Sequence, residues 1–325
     1  MMKASVHMRY GPPEVMELRE VGKPVPKDDE ILIKVYAATA TSGDCKVRRA
    51  DPMAVRLIYG LKKPRLGILG SELAGEVVAI GKDIKLFKKG DFVFCGTGAK
   101  LGANAEYVSL KESDAVAIKP VNMTFEEAAS VPFGATTSLY FLRDKGKIHK
   151  GQKVLIYGAS GGLGTYAVQL ASYFGAEVTA VCSARNLELV KSLGADRVID
   201  YNVQNFTDIS ETYDIILDTI GKLKFSQCKS TLKEKGIYLS PAAGMSDFAR
   251  MILTSVRNNK KLIGGLAPMR KKDLLFLKEL IESGKIKSII DRSYPLEGMA
   301  EAHRYVEKGH KRGSVVITFE HLEPS

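Results

Sequence analysis

The feature that most constrains this chain is a strand, a glycine-rich turn, a helix and a second strand, in that order. Lys153–Tyr157 (KVLIY) reads as a short apolar strand and residues 158–164 are GASGGLG. A helix follows from about Leu163 to Phe174, ended by Gly175, and Glu177–Cys182 is the next strand. Alternation then continues. Helices are expected at Leu187–Leu193, Phe225–Leu232 and Asp273–Ser283, and strands at Arg197–Asp200, Tyr213–Asp218, Gly236–Leu239 and Lys261–Gly264. Such alternation makes βαβ units, and therefore a parallel sheet covered by helices on both faces.

Within that frame the glycine turn is a candidate dinucleotide fingerprint. Ala159 occupies the first glycine position of GxGxxG, while Gly161 and Gly164 fill the other two and Gly158 stands one step earlier. Gly161 lets the backbone approach a pyrophosphate, and Gly164 allows close helix–strand packing. Ser160, Gly161, Gly162 and Leu163 bring amides to the helix start, where phosphate oxygens are held. The bland alternative is a glycine turn that binds nothing. The coenzyme is chosen at the end of the second strand, where an NAD site usually carries an acid for the ribose 2′-hydroxyl. Here the residues are Cys182-Ser183-Ala184-Arg185-Asn186, without a carboxylate. Ser183, Arg185 and Asn186 suit a 2′-phosphate, Arg185 supplying charge and a planar donor fork. The expected cofactor is NADPH.

The first 120 residues read differently, as short strands between glycine turns: Glu30–Ala38, Gly75–Gly81, Gly90–Cys95 and Ala105–Leu110. That spacing suggests a barrel-like or sandwich domain. Thr124 precedes Phe-Glu-Glu like a helix cap, and Pro132–Lys145 reads as a long helix or helix pair. A helix at Glu297–Lys308 and a strand at Gly313–Phe319 close the chain. At 325 residues a single core is unexpected. The expected division is 1–122, completed by about 291–325, and 123–290.

Charge and cysteine content narrow the class. Lys and Arg number 48 against 37 Asp and Glu, a net charge of +11. The basic residues are spread out, with Lys62, Lys63 and Arg65 among the denser clusters. A solvated face is the first explanation, with no specific nucleic-acid partner. Cys45, Cys95, Cys182 and Cys228 form no CxxC or disulfide framework and read as small buried hydrophobes. The five histidines form no HExxH. No apolar run approaches the roughly 20 residues that span a bilayer, so no membrane insertion is expected. The opening residues lack a signal segment, and a cytoplasmic location is expected.

Several motifs in order resemble one family. Gly70-Ser71-Glu72-Leu73-Ala74-Gly75-Glu76-Val77-Val78, Gly81, Ala128-Ala129, Gly134-Ala135-Thr136-Thr137, the glycine loop, Leu193-Gly194-Ala195-Asp196 and Val198-Ile199-Asp200-Tyr201 run nearly end to end. The chain resembles the medium-chain dehydrogenase/reductases, in their zinc-independent quinone oxidoreductase branch. The resemblance implies an α/β fold: a Rossmann-type doubly wound parallel sheet domain plus a GroES-like, mostly-β catalytic domain, commonly in a homodimer. Substrate and nicotinamide lie in the interdomain cleft in that family. Where zinc-dependent relatives place metal ligands, this chain has Thr41, Ser71 and a position near Phe133, and the four-cysteine lobe is missing around residues 96–107. Cofactor contacts are then expected from Lys46, Thr137, Ser160 to Leu163, Ser183, Arg185, Asn186, Tyr201, Ile220, Leu266 and Arg312.

The implied reaction moves hydride from nicotinamide C4 to a quinone or to the β-carbon of an enone. The cofactor carries the chemistry, and the protein aligns it and offers the carbonyl a polar contact. Tyr59 is the first candidate for that contact and Thr41 the second. Competing readings are a non-catalytic NADPH-binding or RNA-associating member and a zinc-dependent alcohol dehydrogenase.

Overall fold

The computed structural model describes residues 1–65, 67–241 and 259–321. Near the start, β1 (Met2–His7) pairs antiparallel with β2 (Met16–Val21). The long β3 (Glu30–Ala40) then pairs antiparallel with β4 (Glu72–Ile80) and with β6 (Tyr107–Lys111). β5 (Phe92–Gly96) joins β4 to β7 (Ala115–Ile118). Ile31, Ile33 and Val35 of β3 are fully buried, as a central strand requires. At the end of β3, Thr41 caps the helix Ser42–Arg49. Its hydroxyl accepts from the Asp44 amide at 3.0 Å, while Asp44 accepts from the Thr41 amide at 2.9 Å.

The second set of strands is β8 (Lys153–Tyr157), β9 (Glu177–Cys182), β10 (Arg197–Asp200), β11 (Tyr213–Asp218), β12 (Leu232–Ser240) and β13 (Lys261–Gly264). They form one parallel sheet in the order β10-β9-β8-β11-β12-β13. This is the doubly wound order, with its switch between β8 and β11. Leu232 was expected to end a helix; instead it begins β12 by pairing with Tyr213. Lys235, at φ 63°, and Gly236 bulge that strand before Ile237 resumes the ladder, so the preceding helix stops at Cys228. The expected helix over 132–145 is an α-helix, Val131–Leu139, running into a wider turn, Tyr140–Lys145.

β14 (Ile290–Pro295) and β15 (Ser314–Thr318) return to the first sheet, giving the order β14-β15-β3-β4-β5-β7. β15 pairs antiparallel with β3, Val315 opposite Ala40. Leu296, Met299, Val306, Val315 and Ile317 share one core with Ile31, Leu73, Val93 and Val116. The helix Met299–Glu307 adds a buried polar contact: Arg48 is fully buried and pairs with Glu307. His303, also fully buried, sets Nδ1 3.4 Å from Cys45 Sγ.

Two compact units result. One is Met1–Phe133 with Met269–Glu282 and Ser288–Ser325; the other is Gly134–Pro268 with Ser283–Lys287. These bounds differ from a division at 122 and 290 for a packing reason. The capped helix Phe125–Ala129 lies on β3 and β4, and the helix Lys271–Glu282 lies on β7. Both therefore belong with the first unit.

Candidate active site

The glycine loop leaves β8, the strand at the switch point. Gly158 has φ +79°, and a Cβ there would meet Thr219 Oγ1 at 2.6 Å. Gly158 therefore makes the turn, while Ala159 sits fully buried beneath it. Both amides donate to Val181 O at 3.1 Å, tying the loop to β9. A Cβ on Gly164 would lie 2.2 Å from Gly158 O and 2.7 Å from Ala159 Cα. The helix Gly164–Tyr173 thus starts in direct contact with the turn. A Cβ on Gly161 meets only Gly158 O, at 3.6 Å. The first amides of that helix have no intrahelical acceptor, which makes Gly162 and Leu163 suitable anion donors.

Thr137 is buried on the helix Val131–Leu139. Its neighbour Ser138 donates to Leu163 O at 2.9 Å, and a Cβ on Gly134 would reach Gly162 O at 2.8 Å. These two residues set the height of the loop. At the end of β9, Ser183 precedes a 3-10 turn, Ala184–Asn186, with Arg185 exposed. Asn186 Nδ2 donates to Ser160 Oγ at 2.9 Å and to Ser183 Oγ at 3.2 Å. One amide thereby latches the glycine loop to the segment expected to read the 2′-position.

Tyr201 follows β10 and lines a cavity of about 660 Å³ together with Tyr157, Val181, Lys222 and Leu223. That volume lies within the roughly 300–1,000 Å³ of small-molecule sites. Ile220 and Leu266 are exposed, Leu266 at 88%. The Ile220 loop is fixed by Asp218, which accepts from the amides of Ile220 at 3.1 Å, Gly221 at 2.8 Å and Leu223 at 2.8 Å, and from Tyr238 Oη at 3.0 Å. The sequence signal available was a carboxylate closing a strand, which is also how an exposed strand end reads.

In the first unit the structure gathers a second group. Thr41 Oγ1 donates to Asp44 Oδ2 at 2.6 Å, and Asp44 Oδ1 accepts from Gly70 N at 3.2 Å. Ser71 and Glu72 follow at the start of β4, beside the C-terminal end of β3. Glu72 accepts from Thr39 Oγ1 at 2.6 Å and from Phe133 N at 2.6 Å. Tyr59 ends the short helix Val55–Tyr59 and packs on the core. Burial, and then the Asp44 carboxylate, raise its phenol pKa, so the O–H stays on. The Thr41 proton is directed at Asp44. Lys46 is exposed on the helix Ser42–Arg49, and Arg312 is exposed before β15, its amide donating to Asp291 Oδ2 at 3.0 Å.

Burial raises the Glu72 carboxyl to about 7 against the partly compensating bonds from Thr39 and Phe133. The folded chain therefore holds this proton more tightly than the unfolded chain. Its stabilising contribution is complete below pH 4.5, falls as pH rises toward 7, and is constant above. The loss is on the order of 3 kcal/mol. Urea melts between pH 4.5 and 8 are expected to show this slope, flattened in Glu72→Gln; an unchanged slope in the variant contradicts the assignment.

The four cysteines are buried and unpaired among themselves. Burial pushes the thiols of Cys45 and Cys228 up to about 12 and that of Cys182 to about 11. They are inert packing groups at neutral pH.

Comparison with known proteins agrees with this architecture. The alcohol dehydrogenase GroES-like domain family matches residues 27–120, and the zinc-binding dehydrogenase family matches residues 193–317. The 2-methylene-furan-3-one reductase of Solanum lycopersicum is 34% identical over 330 residues, covering 97% of this chain and 79% of that protein. The chloroplastic NADPH-dependent alkenal/one oxidoreductase of Arabidopsis thaliana is 33% identical, with coverage of 97% and 79%. The solved quinone oxidoreductase of Coxiella burnetii superposes with a TM-score of 0.88 at 30% identity, covering 98% of this chain and 99% of that one. The chain belongs to the medium-chain dehydrogenase/reductase superfamily, and within it to the zinc-independent quinone and enone oxidoreductase-like branch.

The name of one matching family invokes zinc, and the residues do not fit it. Thr41, Ser71 and Phe133 offer two hydroxyls and an apolar ring where protein zinc sites use thiolate, imidazole or carboxylate. Among the described residues no group of three or more His, Cys, Asp or Glu could hold a metal ion.

Proposed function

We propose that this protein is a zinc-independent oxidoreductase that transfers hydride from NADPH to a small quinone or α,β-unsaturated carbonyl. The observation that carries the coenzyme is the end of β9, where the run Cys182-Ser183-Ala184-Arg185-Asn186 holds an arginine and no carboxylate and Asn186 latches the segment to Ser160. Gly161, Gly162 and Leu163 receive the pyrophosphate, and Ser183, Arg185 and Asn186 the 2′-phosphate. Thr137, Tyr201, Ile220 and Leu266 contact the remainder of the coenzyme, with further cationic contacts from Lys46 and Arg312. Tyr59 donates its O–H to the acceptor carbonyl, where negative charge grows as hydride arrives. Thr41 and Asp44 support that end of the site rather than donating. The names of the Solanum and Arabidopsis relatives, a 2-methylene-furan-3-one reductase and an NADPH-dependent alkenal/one oxidoreductase, support the acceptor class.

The same reading places the protein in the cytoplasm as a homodimer without a specific nucleic-acid partner. Four buried free thiols suit a reducing compartment. No helix among the described residues is long and apolar enough to cross a membrane.

The deciding experiment is an acceptor screen run with NADPH and with NADH, with and without chelator. Turnover of at least one quinone or enone, favouring NADPH and indifferent to chelator, is expected; failure across a varied panel rejects the reading. Tyr59→Phe is expected to lower kcat roughly tenfold, since water can partly replace the donor, while the NADPH Kd stays unchanged. Stopped-flow hydride transfer and a fluorescence titration measure the two quantities separately.

A further inference from the structure

His303 and Glu307 stand one turn apart on the helix Met299–Glu307 and so share a face. That face meets Cys45 and Arg48, one turn apart on the helix Ser42–Arg49. His7, the last residue of β1, joins them from a third element. Burial, then the charges of Arg48 and His7, hold the His303 pKa down at about 3. Burial also lowers that of His7, and Arg48 adds to it against the bond to Gly67. The three side chains are thus within electrostatic reach of one another. Arg48, His303 and His7 are 0%, 0% and 1% exposed, yet each keeps polar atoms that no described residue engages: Nε and Nη1 of Arg48, and Nε2 of both histidines. Buried polar atoms are nearly always paired, because an unpaired one is destabilising.

The hydrogens in this group follow from its partners. His7 Nδ1 lies 3.1 Å from Gly67 O, which can only accept, so Nδ1 carries the hydrogen and Nε2 of the neutral ring is a bare lone pair. The Cys45 thiol, kept protonated by burial, donates to His303 Nδ1 at 3.4 Å, so His303 Nε2 carries a hydrogen. Arg48 gives Nη2 to Glu307 and keeps the hydrogens of Nε and Nη1. The group therefore presents donors from Arg48 and His303 and an acceptor from His7. Its net charge is zero, since Glu307 balances Arg48 and both rings are neutral. We propose that these side chains enclose a binding site for a buried water molecule, which accepts from Arg48 and His303 and donates to His7. An anion would face the lone pair of His7, and an apolar molecule would leave every one of these atoms unpaired. Three bonds are typical of an internal water. The water joins β1 to both helices and so ties the start of the chain to its closing helix. This site is independent of the acceptor and of Tyr59.

The first test uses the wild-type chain. A high-resolution crystal structure is expected to show a water within hydrogen-bond distance of Arg48 Nη1, His303 Nε2 and His7 Nε2. Nitrogen-15 NMR of histidine-labelled protein at neutral pH is expected to find the His7 hydrogen on Nδ1 and the His303 hydrogen on Nε2. An ion at the position, direct protein bonds to the three nitrogens, or a His7 hydrogen on Nε2 each overturn the proposal. The second test is a melting-temperature cycle with His7→Leu, His303→Leu and the double variant. Each single variant leaves the water short of a partner and is expected to lower the melting temperature by roughly 3–8 °C. The double variant is expected to fall well short of the sum, because both changes remove bonds to the same molecule. Strictly additive losses overturn the bridge. Should a variant fail to fold, the wild-type structure and NMR decide the matter by themselves.

Discussion

Gly164→Ala is expected to cost the protein about 3 kcal/mol and Gly161→Ala almost none, although the latter loses more NADPH affinity per unit of stability. The two glycines sit three residues apart in the same loop, yet their surroundings differ. A methyl group on Gly164 is placed 2.2 Å from Gly158 O and 2.7 Å from the Ala159 backbone. Neither obstacle is a flexible side chain, so the helix Gly164–Tyr173 must move away from β8. Overpacking of that kind typically costs about 1–3 kcal/mol, and backbone obstacles place this case at the upper end. The melting temperature should fall roughly 6–12 °C. The Gly161 methyl finds only Gly158 O, at an ordinary 3.6 Å. It is tolerated by the fold and occupies the space through which a pyrophosphate approaches the backbone. NADPH affinity is expected to fall at least about tenfold, with the melting temperature of the unliganded protein within about 2 °C of wild type. Calorimetry with and without NADPH measures both. Equal melting temperatures for the two variants would show that the helix start is not packed as described.

The second large effect is on coenzyme choice. Arg185→Glu is expected to lower kcat/KM for NADPH roughly 100-fold and to leave NADH turnover unchanged or improved. Hydrogen bonds to a charged group contribute about 1.5–3 kcal/mol, and the substitution also sets a carboxylate against the phosphate. The new acid stands where NAD sites carry theirs, ready to accept from a ribose hydroxyl. Asn186→Ala acts differently, because Asn186 joins Ser160 to Ser183. It should weaken both coenzymes alike by loosening the loop. A selectivity ratio unaltered by Arg185→Glu removes Arg185 from the 2′-phosphate site.

The parallel sheet was legible because its strands are short apolar runs between turn residues. β8, β9, β10, β11 and β13 begin and end where that pattern does. β2 and β14 were not legible. β2 (MELREV) shows four exposed positions in a row, and β14 (IDRSYP) lies on the sheet edge with no fully buried residue, so neither carries an alternating apolar signature. The Thr124 cap was readable because a hydroxyl and a glutamate three residues apart serve each other. Asp44 and Asp218 escaped notice for the opposite reason. Their importance comes from burial and from the amides they accept, which no spacing in the sequence records. The Thr41 hydroxyl was legible as a polar group, but its proton goes to Asp44, a partner visible only once the helix cap forms.

The pairing of β15 with β3 has a consequence for how the chain is made. Ala40 waits for Val315, so the ribosome must add about 275 further residues before that edge of the first sheet is covered. At roughly 5–20 residues per second this takes tens of seconds. Throughout that interval β3 presents its unpaired amides and carbonyls, along with part of a core that lacks Val315 and Ile317. The parallel sheet of the second unit has all its strands well before then. In the cell the unit made first should therefore be the unit finished last, and the newly made chain should be most prone to sticking to its neighbours while its closing strand is still being synthesised.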